Sequence, residues 1–230
     1  MIGDGDPVMQ MFLGPVVSSK DYLSVSEENA QPFRLGLPSL LPIRTMTPRR
    51  TYYEFDMLDS SSYFRVYSDG FFHASLRFTR EEEPKRGTIH DVICYLSDFF
   101  IFALRVLKSR LVDVQQGFYI ELSGLTGLEL RVDESILFGP ETFGFSKTTS
   151  KVFYEKDFEP SEDWHSIFLK ICDFYKLICL DLGIIDVSDQ TIRNNVRKIL
   201  TRMSDIAVGR KYNDREILPK IDLNEMFSES

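Results

Sequence analysis

Apolar residues return every third or fourth position across 88–110, TIHDVICYLSDFFIFALRVLKSR, and predict an amphipathic helix. Ile89, Val92, Ile93, Leu96, Phe99, Phe100, Ala103, Val106 and Leu107 share one face of it. Cys94, Tyr95, Ile101, Phe102 and Leu104 extend apolar surface around the other sides, as in a helix covered on more than one side. Thr88 followed by Asp91 reads as an N-cap with an acid in the first turn, where it meets the positive end of the helix dipole. Asp91, Ser97, Asp98 and Arg105 interrupt the run before it reaches the ~18 uninterrupted apolar residues of a membrane span. The reading is a core helix.

Before this helix the period drops from 3.6 to 2. TYYEFDM (residues 51–57) is strand-like, and YFRVYSDGFFHASLRF alternates on both sides of Asp69-Gly70, a tight-turn pair, so it predicts a hairpin. EEEPKRG (residues 81–87) reads as a solvated turn. After the helix, GFYIELSGLTGLELRVD (residues 117–133) predicts two strands around Gly124 to Gly127, SILFGPETFGFS is less regular, and KVFYEKDF (residues 151–158) predicts an edge strand.

Two further helices follow. Ser161 is the expected N-cap of the first, whose apolar stripe runs from Trp164 to Leu182 and whose C-cap is Gly183. Ser188 opens the second, DQTIRNNVRKILTRM, with Ile192, Val196, Ile199, Leu200 and Met203 facing inward. Residues 1–50, broken by Gly and Pro, read as an irregular N-terminal arm with a short strand near Phe12 to Val17. Residues 51–205 form the core domain, and 206–230 a polar C-terminal tail that frays. The predicted fold class is α+β: a two-layer arrangement with a mostly antiparallel sheet packed on two long helices, followed by a short C-terminal helix.

Composition supports a folded domain. With 43% hydrophobic and 27% charged residues, and 19 Phe and 10 Tyr among 230 residues, the chain has ample material for a core. A net charge of −8 argues against indiscriminate coating of nucleic acid. The three cysteines, Cys94, Cys172 and Cys179, are an odd number and do not form a disulfide framework. MIGDGDPVMQMF has no basic segment leading into an apolar one. The expected location is cytoplasmic, with no membrane partner.

No motif specifies a reaction. His73, His90 and His165 lie far apart and outside HxH, HExxH or CxxC spacing, and Cys172 and Cys179 sit in an apolar helical stripe, so no metal or cofactor is expected. Cys94 and His90 are four apart, but the cysteine belongs to the core helix. There is no GxSxG elbow, and neither GDGDP nor SGLTGLE stands between a strand and a helix as a phosphate loop must. Glu54 and Asp56 share a strand face and could chelate a hard cation, the basis of a nuclease or hydrolase reading; Arg65 and Arg77 are their expected cross-strand partners instead.

One region is basic. Residues 190–220 hold eight Lys/Arg against three Asp/Glu, with Arg193, Asn194, Arg197, Lys198 and Arg202 on the third helix, opposite its apolar stripe. Two helices flanking LGIIDVS resemble a helix-turn-helix in outline, though the connection is longer than in that motif, and DNA is the alternative partner.

The order YYEFDMLDSSSYFRVYSDGFFHASLRF, IHDVICYLSDFFIFALRVL, GFYIELSGLTGLELRVD and the Trp164 helix, spanning about residues 51–200, resembles the region that follows the AlbA-like (Schlafen-type) DNA-binding domain in many bacterial proteins. The acidic E-F-K segment of that domain itself is absent, so its nucleic-acid activity does not carry over. The resemblance implies an accessory module of bacterial regulatory or defence proteins. The leading expectation is a non-enzymatic protein-binding or assembly module that meets a protein partner or its own copies, with Tyr63, Tyr67, Phe71 and Phe72 at the interface.

Overall fold

In the computed structural model, Gly70 takes a φ of 80° and closes the predicted hairpin. The Tyr67 N–H donates to the Phe71 carbonyl at 2.8 Å and the Gly70 N–H to the Tyr67 carbonyl at 3.1 Å. The structure describes residues 8–15, 43–57, 62–77, 86–108, 116–126, 128–132, 141–144, 151–159, 161–184, 187–209 and 221–228.

Ten strands occur among these residues: β1 Val8–Pro15, β2 Ile43–Pro48, β3 Tyr52–Met57, β4 Tyr63–Tyr67, β5 Phe72–Arg77, β6 Arg86–Thr88, β7 Gln116–Ser123, β8 Glu129–Val132, β9 Glu141–Gly144 and β10 Lys151–Phe158. The helices are α1 Ile89–Lys108, α2 Trp164–Asp181, α3 Asp189–Gly209 and α4 Leu223–Met226. Seven strands form one antiparallel sheet in the order β10-β7-β1-β5-β4-β3-β2; β6, β8 and β9 form a second, with β6 and β8 parallel. The fold is α+β and mostly antiparallel.

Strand alternation divides the large sheet into two faces. Met9, Met11 and Leu13 of β1, Phe64 and Val66 of β4, Phe72, Ala74 and Leu76 of β5, and Phe118, Ile120 and Leu122 of β7 are buried on the helical side. There the rings of Phe99 and Phe102 from α1 meet Phe64 edge-on at 6.0 and 5.2 Å, and Phe102 meets Phe72 at 5.3 Å. Phe174 of α2 packs on Phe100, Phe118 and Tyr154. The core helix contacts β1, β8, α2 and α3, which explains apolar residues on more than one of its sides. Thr88 caps it as expected, its hydroxyl accepting from the Asp91 N–H at 3.0 Å.

Four features differ from the sequence reading. β1 runs from Val8 to Pro15 as an interior strand, paired to β5 on one side and β7 on the other, where the sequence reading has an irregular arm with only a short strand near Phe12 to Val17. The N-cap of α2 is Asp163, not Ser161: its carboxylate accepts from the Ser166 N–H at 2.7 Å, and the preceding Glu162 instead receives Lys170 Nζ at 2.5 Å. Helix α3 continues to Gly209. Within the expected polar tail, α4 docks on α2, with Met226 fully buried and Phe227 edge-on to Phe168 at 5.5 Å. The remainder of the expected arm (1–7 and 16–42), residues 81–85 of the turn expected at 81–87, and 210–220 and 229–230 of the tail lie outside the described residues, while Arg86 and Gly87 of that turn belong to β6.

Candidate functional site

All the described helices pack on one side of the seven-stranded sheet, so its other face is built of strand side chains alone among the described residues. That face carries the residues one step out of phase with the core, and many are aromatic. Register sets them in a row: Phe12 of β1 lies opposite His73 of β5 and Tyr119 of β7, and Arg65 of β4 lies opposite both Glu54 and His73. Ring centroids step across the sheet from Tyr52 to Tyr67 (5.1 Å), Tyr67 to Phe71 (5.6 Å), Phe71 to Phe12 (6.0 Å), Phe12 to Tyr119 (5.8 Å) and Tyr119 to Phe153 (5.7 Å). This aromatic belt runs unbroken from β3 to β10, each step within the 4.5–7 Å range of favourable ring pairs. Phe153, at its end, is 53% exposed.

At the β3–β4 end the belt is tied to an ion pair. Arg65 donates from Nε and Nη2 to Oε2 of Glu54, each at 2.7 Å, and Arg49 Nη2 donates to Oε1 at 3.0 Å. The Arg65 guanidinium also lies 4.2 Å from the Tyr63 ring centroid and 5.4 Å from that of Tyr52. Burial raises the Glu54 carboxyl, but the hydrogen bonds and charges of Arg49 and Arg65 outweigh it and hold the group below its usual range. Burial, aided by the nearby Arg65 charge, pushes His73 down to about 4, so its imidazole is neutral at pH 7. The ring stacks on Phe12 at 4.3 Å, and its Nε2 has no hydrogen-bond partner.

At the β7–β10 end a cleft opens. Gly14 and Gly117 face each other across the β1–β7 ladder, so two adjoining positions lack side chains. Phe71 covers the Gly14 side of this gap, Phe12 and Tyr119 stand around the rest, Glu155 and Asp157 of β10 edge it, and the cleft, open to solvent, has a volume of about 500 Å³. Strand β10 is fixed from the helical side. The Tyr154 hydroxyl donates to Asp181 of α2, Lys170 Nζ donates to the Asp157 carbonyl, and the same ammonium lies 4.5 Å from the Phe158 ring centroid.

Three of the four expected interface residues, Tyr63, Tyr67 and Phe71, are half-buried on this face. Phe72 is not among them: it is 0% exposed and packs on Phe102, because the turn at Asp69-Gly70 sets the alternation so that Phe71 faces outward and Phe72 inward. Phe12, Tyr119, Phe153 and Tyr52 complete the belt without having been singled out; the outward phase of their strands was the available signal. On α3, Arg193, Asn194, Lys198 and Arg202 are exposed as expected, whereas Arg197 is half-buried over the Phe227 ring at 5.2 Å, turned toward the docked C-terminal segment.

Glu54 is held by two arginines, and no group of three or more His, Cys, Asp or Glu that could hold a metal occurs among the described residues. Cys94, Cys172 and Cys179 are buried free thiols pushed up to about 12, chiefly by burial, which suits packing and not nucleophilic attack. No described helix is long and apolar enough to cross a membrane. Set against protein-family models, curated proteins and solved structures, the chain matches none of them.

Proposed function

We propose that this chain is a non-enzymatic protein-binding module whose partner docks on the helix-free face of the large sheet. The aromatic belt from Tyr52 to Phe153 carries the reading. Large, stiff rings gain contact area at little cost in conformational entropy, and Tyr and Phe are enriched where protein surfaces meet. A helix-free sheet face exposed to water alone is ordinarily polar at outward positions, and this one places rings there on six adjoining strands. The resemblance to an accessory module of bacterial regulatory or defence proteins is in keeping with a binding role. The test is co-purification of the tagged chain from its native cells, beside a Y67S/F153S variant of unchanged melting temperature. A stoichiometric partner lost in the variant is the expected result; a strict monomer with no such partner would overturn the reading.

A second reading, contact with DNA through α3, is favoured by the exposure of Arg193, Asn194, Lys198 and Arg202 beside the buried Ile192, Val196, Ile199 and Leu200. Three phosphate contacts would give a salt slope of about −3 in a log–log plot. An R193E/K198E/R202E variant that bound duplex as well as the parent would remove this reading.

A further inference from the structure

We infer that β10 pairs with β10 of a second copy of the chain, antiparallel about a two-fold axis at Phe153, so that two seven-stranded sheets join into one. The inference rests on this strand edge and not on the docking reading above. Among the described residues β10 has a neighbour on one side only, as does β2 at the other end of the sheet. The two edges are finished differently. β2 carries a bulge between Ile43 and Thr45 and ends in Pro48, which has no N–H to donate, and both devices discourage a further strand. β10 has no proline and runs through 151–158 in unbroken register with β7.

Apolar surface flanks the β10 edge on both sides. Three large hydrophobic residues are exposed among the described residues: Phe153, at 53%, on the helix-free face, and Leu177 and Leu180 of α2, at 39% and 45%. Tyr154 of β10 packs on Phe174 and donates to Asp181, and Leu177 lies between those two on the same flank of α2. Leu180 follows Leu177 one turn on. An edge strand bordered by exposed apolar side chains is a site for a partner strand.

The sequence of β10 fits a second copy to that place. With Phe153 opposite its own counterpart, Lys151 of each copy stands opposite Glu155 of the other, a basic position against an acidic one on both sides of the axis. The ring step from Tyr119 to Phe153 then continues the aromatic belt into the second sheet. An axis at Tyr154 would match Lys151 with Asp157, but it sets Phe153 against Glu155 and Lys156, at a helical-side position, against Val152. It would also draw in Asp157, whose carbonyl already accepts from Lys170 Nζ. On the helical side the two α2 helices present Leu177 and Leu180 to each other. The pairing uses both β10 edges and leaves only the blunted β2 edges, so it closes at a dimer.

Sedimentation equilibrium of the full chain over a range of concentrations tests the pairing, with K151E, E155K and L177K/L180K beside the parent. The parent is expected to give twice the mass of one chain. K151E and E155K each set like charges opposite and should raise the dimer dissociation constant about tenfold; their equimolar mixture restores the opposite pairs and should recover the parent's affinity. L177K/L180K, changed only at exposed helix positions, should dissociate the dimer with no loss of helix by circular dichroism. A parent chain that remains monomeric at high micromolar concentration would overturn the inference, as would assemblies larger than a dimer. A dimer indifferent to both strand charges, or one that the mixture fails to restore, would overturn the strand pairing.

Discussion

Phe71 lies over Gly14 so closely that a Cβ added at the glycine would fall 2.4 Å from the ring's Cδ2. An aromatic ring from one strand thus fills the space left by a glycine on its neighbour, and the side-chain-free floor and the ring above it depend on each other. Gly14→Ala forces Phe71 to turn away and is expected to cost about 1–3 kcal/mol by overpacking. Chemical denaturation of G14A, F71A and the double variant checks this: in the F71A background the alanine should become nearly neutral. A full penalty there would place the strain elsewhere.

His73 gives the sheet face a pH response. Its folded pKa of about 4 lies below the unfolded value of 6.5, because burial, with Arg65 beside it, penalises the imidazolium. A neutral histidine in the fold therefore contributes stability that is full above pH 6.5 and is lost as the pH falls toward 4. The ring resonances of His73, followed by NMR, should titrate near pH 4 in the folded protein, and H73F should flatten the stability profile across that interval. Titration near 6.5 would refute the buried, neutral assignment.

The three cysteines should be silent toward thiol reagents at neutral pH. Each is buried and held well above its ordinary value of 9.0. Labelling with a chromogenic disulfide should proceed only through opening of the fold, so its rate should increase with denaturant in step with unfolding. A rapid one-thiol burst from the native protein would contradict the packing of α1 or α2.

The C-terminal segment is the fourth test. Met226 is fully buried, the Glu225 carboxylate accepts the Trp164 N–H at 3.4 Å, and the Arg197 guanidinium covers Phe227. M226A should lower stability by about 2–4 kcal/mol if α4 unfolds with the rest of the chain. If α4 detaches alone, hydrogen exchange will accelerate at 222–227 and around Trp164 while the global transition remains in place. Either outcome measures how firmly the segment is held; indifference to M226A in both assays would disprove the docking.

The elements that sequence revealed are those whose signals are local. Thr88, Asp69-Gly70 and Gly183 mark their helix start, turn and helix end within a few residues, and the stripes of α1 to α3 repeat often enough to be unambiguous. β1 registers only as a short strand near Phe12 to Val17, because VMQMFLGP has few β-branched residues and ends in Gly-Pro, while the partners that make it an interior strand lie in β5 and β7, far along the chain. Asp163 displaced Ser161 as the cap because either residue type serves there, and the side-chain acceptor that reaches Ser166 decides. The α4 segment offers just Leu223, Met226 and Phe227 in a polar run, too short for periodicity to register.

The belt posed a harder problem. Each strand contributes only one or two of its rings, and their adjacency is a property of strand order and register. Tyr63, Tyr67 and Phe71 were visible inside one hairpin, whereas Phe12, Tyr119 and Phe153 come from three segments dispersed over the chain. Phe72 was assigned to the wrong side because two successive phenylalanines follow the turn, and one residue of phase separates the two faces.

The interior place of β1 also bears on how the chain is made. Val8 pairs with Ser123, so one flank of this strand stays vacant until more than 100 further residues have left the ribosome. At about 5–20 residues per second, that is a wait on the order of 5–20 s. Throughout it, this apolar strand has both ladders open, or one once β5 emerges, and its closure by β7 is what joins the early meander to the late strands. Completion of the large sheet around β1 therefore waits on β7.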